Sequence, residues 1–186
     1  SGGTDVTANY TITKANGTLT VSKKSVTVTA SGASKTYDGA ALTKTSGCAS
    51  SSGLISGHTA TCTNSGSITN AGTATNTLST VVIKNSGGTD VTANYTITKA
   101  NGTLTVNKKA VTVTASSNSK TYDGAALTKT SGCGTITGSL VSGHTATFSI
   151  SGSITNVGSV TNTLNSVTIK SGSTDVSSNY DITRQN

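Results

Sequence analysis

Valine, isoleucine, leucine and tyrosine alternate with threonine, serine or lysine along most of this chain, in runs such as SVTVTA, YTIT and TLTV. β-Branched residues at period two place one face of a strand against a core and the other in water. Such runs fall at Ser25–Ala30, Lys35–Tyr37, Ala41–Thr45, His58–Thr63, Thr73–Lys84, Thr92–Lys99 and Gly102–Lys108. No window carries apolar residues at helical spacing over three turns, so an all-β chain is expected. Clusters rich in Gly, Asn, Asp and Ser separate the runs (SGAS, YDG, SGCASSSG, NSGS, NAG, NSGGTD, KANG) and predict turns between the strands of an antiparallel β-sandwich. YTIT-KANG-TLTV reads as a β-hairpin, with Asn16-Gly17 and Asn101-Gly102 able to adopt positive φ. Thr73–Lys84 is long for one strand and is expected to bend or bulge near Ser79.

The pattern recurs. Asp5–Ala30 returns as Asp90–Ala115 with changes only at Ser22/Asn107 and Ser25/Ala110, and Asp175 opens a third copy, DVSSNYDIT. Tyr37 and Tyr122 set the period at 122 − 37 = 85 residues. A unit repeated with this fidelity indicates an array, whose function lies in length, repetition and surface rather than in one diverged site. One period supplies Val26, Val28, Tyr37, Leu42, Leu54, Ile55, Ile68, Leu78, Val81, Ile83, Val91, Tyr95, Ile97, Leu104 and Val106 as core candidates. At roughly 1.5–3 kcal/mol for each buried side chain, these can support a small domain.

Composition narrows the function classes. The chain is 32% hydrophobic and 3% aromatic, with 21 Gly and no Pro, Met or Trp, and its regular alternation argues against disorder. The formal charge of +7 favours anionic neighbours such as wall polymers or acidic glycans. Lysines spread along the repeats, without interleaved aromatics, argue against a nucleic-acid partner. Their simplest role is to solubilise strand faces and blunt edges. No membrane-inserting run and no sorting motif is visible, so any export signal or anchor is expected outside this segment. Of the three cysteines, Cys48 and Cys133 are period equivalents, whereas Phe148 takes the place of Cys62. A Cys48–Cys62 disulfide is possible in the first repeat and impossible in the second; closing a loop of about fifteen residues adds roughly 3 kcal/mol. Three cysteines, with His58 and His144, make no zinc pattern, and no cofactor is expected.

The combination KKSVTVTA, SKTYDGAALT, SGHTAT and DVTANYTITKANGTLTV resembles the tandem YDG/MBG-type repeat domains of bacterial, Firmicute-like surface adhesin proteins. That resemblance covers essentially the whole chain. It implies tandem Ig-like β-sandwiches, an extracellular address and a non-catalytic stalk or adhesion role, with no particular ligand. In such units the KKxVTVTA strand comes first and the NGTLTV strand last. Residues 1–21 are then the C-terminal hairpin of a preceding repeat, 22–107 a complete repeat, and 108–186 a second repeat without its last strand. Two arrangements are open: a window of a longer array, or a head-to-tail fibre in which Asn16, Gly17, Thr18, Leu19, Thr20 and Val21 complete the last unit of another chain.

Candidate chemistry is sparse. Tyr37-Asp38-Gly39 and Tyr122-Asp123-Gly124 read as turns, with Asp capping, Gly at positive φ and Tyr on the core edge. Asp38 and Asp123 as calcium ligands would need more carboxylates than the period offers. An isopeptide bond of the kind found in surface stalks would draw on Lys24 or Lys35 with Asn94 and Asp38, or Lys109 or Lys120 with Asn179 and Asp123, around a desolvated lysine. His58 and His144 are expected as exposed turn residues, since a Ser56–His58–Asp38 triad lacks a nucleophile elbow. Gly-rich segments open no helix and cradle no phosphate. Sequons at Asn9, Asn16, Asn94 and Asn101 matter only in a eukaryotic host. The ice-binding arrays that TxT runs suggest have much shorter periods. A binding module whose SGCASSSG and SGCGTITG loops recognise glycan or host protein is the alternative to a stalk.

Overall fold

The computed structural model describes residues 2–130 and 133–186, with the side chains of Cys133 and Gly134 excepted. The chain is all-β, as its period-two alternation predicts, with 3₁₀ turns at Thr7–Asn9, Thr92–Asn94 and Ser177–Asn179. The first unit runs through β1 (Lys24–Ala30), β2 (Ala33–Thr36), β3 (Leu42–Thr43), β4 (Cys48–Ser52), β5 (Thr59–Ser65), β6 (Ser67–Ile68), β7 (Gly72–Lys84), β8 (Tyr95–Ala100) and β9 (Gly102–Asn107). After Lys108 alone, the second begins: β10 (Lys109–Ala115), β11 (Leu127–Thr128), β12 (Cys133–Thr137), β13 (His144–Ser151), β14 (Ser153–Ile154), β15 (Thr163–Ser171), β16 (Thr174–Asp175) and β17 (Tyr180–Gln185).

Pairing is mixed rather than purely antiparallel. β1 lies between β4, antiparallel, and β8, parallel, from Lys24↔Tyr95 to Thr29↔Ala100. β10 repeats this between β12 and β17. A parallel neighbour needs a long crossover, and the whole intervening unit supplies it. The first unit's other sheet has the order β2-β9-β7-β5, and Leu42–Thr43 pairs separately with Ser67–Ile68. Its core gathers Val26, Val28, Cys62, Leu78, Val81, Ile83 and Tyr95 from both sheets, with Leu54, Val91 and Ile97 at its margin. Ile55, expected inside, is 49% exposed.

The long strand behaves as its length suggests. Thr63 faces Thr80 and Asn64 faces Leu78, so Ser79 is the extra residue of a bulge; Asn165 is extra in the same way between Leu164 and Ser166. Two of the expected turns fail. SGCASSSG is not simply a turn, because Cys48–Ser52 forms β4 against β1. YTIT-KANG-TLTV is not a hairpin: β8 joins β1, whereas β9 joins β2 and β7 in the other sheet. Asn101-Gly102 is therefore a crossing between sheets, and neither residue has positive φ. A Cβ on Gly102 would stand 2.5 Å from Ser31 O and 2.7 Å from Ala30 O, so glycine is required by close approach rather than by turn geometry. The Asn101 side chain accepts the Leu78 amide at 3.1 Å, completing the bonding at the crossing. Residues 10–21, the earlier copy of this stretch, form no strand and no hairpin, and are exposed throughout.

Candidate functional site: the joint between units and an open groove

YDG is a turn, held by a lysine clamp that the motif alone does not reveal. Asp38 Oδ1 accepts Lys35 Nζ at 2.6 Å and the Ala40 amide at 3.0 Å, while Lys35 Nζ also donates to Ala40 O at 2.7 Å. Lys120, Asp123 and Ala125 repeat the three bonds. These bonds, the lysine's first, hold both carboxyls below the ordinary Asp value. Gly39 and Gly124 take φ of 81° and 79°, as a glycine turn position predicts.

The turn aims its tyrosine beyond its own unit. Tyr37 is buried in the second unit's core, its ring 5.7 Å from Tyr180 and 6.0 Å from His144. Tyr180 Oη lies 2.7 Å from His144 Nδ1 and accepts the Val141 amide at 3.1 Å. Burial pushes the Tyr180 phenol up, and neighbouring Tyr37 adds to the shift. Val106, Leu42 and Ile68 of the first unit join the same cluster. Beside it, Asn179 is buried: its Oδ1 accepts the Ala71 amide at 2.7 Å and its Nδ2 donates to Asn70 Oδ1 at 3.2 Å. The joint is thus an aromatic knuckle with a bidentate amide, built from single residues on both sides.

The other candidates have different roles. His58 and His144 are half-buried rather than exposed, because each ring bonds a tyrosine; His58 Nδ1 lies 2.7 Å from Tyr95 Oη. With His58 on Tyr95 and Asp38 on Lys35, the imagined triad partners are engaged elsewhere. For the isopeptide sets, Lys35 and Lys120 bond their YDG aspartates, Asn179 bonds Asn70 and Ala71, and Lys24 and Asn94 are exposed. Among the described residues no three His, Cys, Asp or Glu side chains gather as a metal site. No helix among them is long and apolar enough to cross a membrane. Cys48 and Cys62 are joined, tying β4 to β5 across the two sheets. In the second unit Phe148 packs at the core margin instead. Of the proposed binding loops, the first is largely β4, and part of SGCGTITG (131–132) lies outside the described residues.

The second unit carries an open groove of about 700 Å³ between Asn118–Lys120 and Gly158–Asn162, floored by Leu127 and Ile154. In the first unit the equivalent place holds β9, with Leu104 0% and Val106 2% exposed. Residues 118–121 and 158–162, which correspond to β2 and the start of β7, form no strands here. Tyr122, the counterpart of Tyr37, is 62% exposed, and Val157 and Val160 beside the groove are exposed as well. Sequence reasoning missed the joint because Tyr37, Asn70 and Asn179 are far apart along the chain; the recurrence of Tyr122 and Asn156 was the available signal. Comparison with protein-family models, with curated proteins and with solved structures gave no match to this chain.

Proposed function

We propose that this chain is a non-catalytic stalk segment of an extracellular bacterial surface or adhesin protein, built from tandem Ig-like β-sandwich repeats of 85-residue period. The observation that carries this reading is the joint: one residue, Lys108, separates β9 from β10, and Tyr37 is buried in the next unit. Such units transmit orientation as well as length. The parallel pairing of β1 with β8 supports a mechanical role. Tension along the chain pulls the start of β1 against the end of β8, at opposite ends of one ladder from Lys24↔Tyr95 to Thr29↔Ala100. All its bonds are then loaded together in shear, rather than one after another. The Cys48–Cys62 disulfide suits an oxidising compartment and bridges the two sheets.

Further units joined through the same knuckle extend this design in length. The stalk reading is tested by single-molecule pulling on the first unit, tethered either at Lys24 and Asn107 or at Lys24 and Asn94. The first geometry shears the β1–β8 pair and the second unzips it, and forced rupture follows the unfolding barrier. Markedly higher rupture forces in the first geometry are expected. Equal forces in the two geometries would remove the basis for a load-bearing role.

A further inference from the structure

We infer that the joint between the units is a pH-operated hinge, closed while His144 is neutral and opened when its ring takes a second proton. The inference rests on the geometry of the joint alone and goes beyond the stalk reading, which asks nothing of how the joint responds to pH. Donors and acceptors there balance in one protonation state only. Tyr180 Oη accepts the Val141 amide at 3.1 Å, so its own hydrogen needs an acceptor, and His144 Nδ1, 2.7 Å away, supplies it. Burial pushes the phenol up and so keeps that hydrogen on the oxygen. A ring nitrogen accepts only when it carries no proton, so the neutral imidazole is the form that fits. A second proton, placed on Nδ1, turns the acceptor into a donor. Tyr180 Oη then receives two hydrogens, and its own is displaced into a cluster of apolar side chains and the Tyr37 ring. A buried donor left without an acceptor is costly.

The first unit is seated on these same groups. The Tyr37 ring lies 6.0 Å from His144 and 5.7 Å from Tyr180. Gly39 stands against Val141, where an added Cβ would be 3.1 Å from Val141 Cγ1. The His144 amide donates to Val141 O at 3.0 Å and closes a turn in which Gly143 takes φ of 79°. One half-buried ring thus holds both the turn and the phenol against which the first unit rests.

The charges around the ring favour release. Its neighbours on β17 and in the first unit are Tyr180 and Tyr37. On β10, Lys109 is in register with Tyr180; on β15, Lys170 is in register with Thr145, beside the histidine, and faces Asp175 on β16. Asp181, next to Tyr180, is in the outward phase of β17. The ion pairs among the described residues are Lys35–Asp38 and Lys120–Asp123, so no carboxylate is placed to balance an imidazolium. The Lys35–Asp38 clamp adjoins Tyr37 and also titrates, but its carboxyl is held below 3.8 and lets go in a more acid range. His58 and Tyr95 form the same pair, also 2.7 Å apart, away from the joint.

The full chain is to be weakly aligned in a neutral gel and its backbone dipolar couplings recorded by NMR from about pH 8 to about pH 5, the span over which histidine side chains change charge. At the upper end one alignment tensor is expected to fit both units. At the lower end each unit should keep its own internal fit while the shared tensor is lost. His144→Asn puts an amide oxygen near the place of Nδ1, an acceptor that does not titrate, and should keep the shared tensor throughout. Tyr37→Ala should lose it at every pH. Should His144→Asn lack the shared tensor even at the upper end, Tyr180→Phe decides, because it has no hydrogen to place and its pH response should vanish. A pH response that persists in Tyr180→Phe, or that His144→Asn leaves unchanged, belongs to another titrating group and overturns the inference. So does a shared tensor that the unaltered chain keeps down to about pH 5. Any of these results leaves the stalk reading standing, since that reading is tested by force.

Discussion

Single residues decide this molecule more than its low-complexity composition suggests. Gly102 lets the chain pass from one sheet to the other against the carbonyls of Ala30 and Ser31. Gly102→Ala is expected to destabilise the first unit by about 2 kcal/mol, within the usual range for overpacking, and denaturant titration measures it. The clamp aspartates behave differently, because they are exposed. Their folded pKa values lie below the ordinary 3.8, so the clamp is intact at neutral pH and is lost as pH falls below 3.8 through the folded value. Amide shifts of Ala40 and Ala125 should titrate together with midpoints under 3.8, and Lys35→Met should move the Ala40 midpoint upward. Alternation in the sequence says nothing of either effect, since one is a steric approach across the core and the other a lysine reaching over a turn.

At the scale of elements, the two units solve one packing problem in two ways. The first ties β4 to β5 by Cys48–Cys62 and anchors buried Asn64 on Gly47 O at 2.8 Å. The second places Phe148 and Ile150 at the corresponding positions, filling the same region with apolar bulk. Cys62→Ser is therefore expected to cost the first unit about 3 kcal/mol, by restoring the loop's freedom in the unfolded state, and to leave the second unaffected. Hydrogen exchange resolves the two: protection should fall in β4 and β5 and persist in β13 and β15. The strand contrast has a different cause. β7 spans 13 residues where β15 spans 9, because β9 supplies the partner for Gly72–Asn76 and no strand among the described residues does so for 158–162. A strand's existence here depends on its neighbour, which is why runs of similar composition are strands in one unit and irregular in the other.

The whole molecule is two cores joined by a hydrophobic knuckle. Its charge of +7 opposes association of copies, and screening weakens that opposition. Any association of copies should accordingly strengthen as ionic strength rises from about 0.01 M to about 1 M, where the Debye length falls from ~30 to ~3 Å. Sedimentation at fixed protein concentration measures this. Oligomers that dissolve with added salt would point to ionic contacts between copies instead.

The amino-acid sequence by itself determined the local properties: period-two alternation made the chain all-β, the length of Thr73–Lys84 marked the bulge at Ser79, and YDG made its turn. These depend on residues within a few positions of one another. Only tertiary structure decided where each strand finds its partner. Asn101-Gly102 looks like a hairpin turn locally and serves as a crossing, because β8 and β9 gain more from β1, β2 and β7 than from each other. It also decided that Tyr37 belongs to the next unit's core and that Leu19 and Val21, identical in sequence context to Leu104 and Val106, stand in water. Burial is a property of the neighbour as much as of the residue.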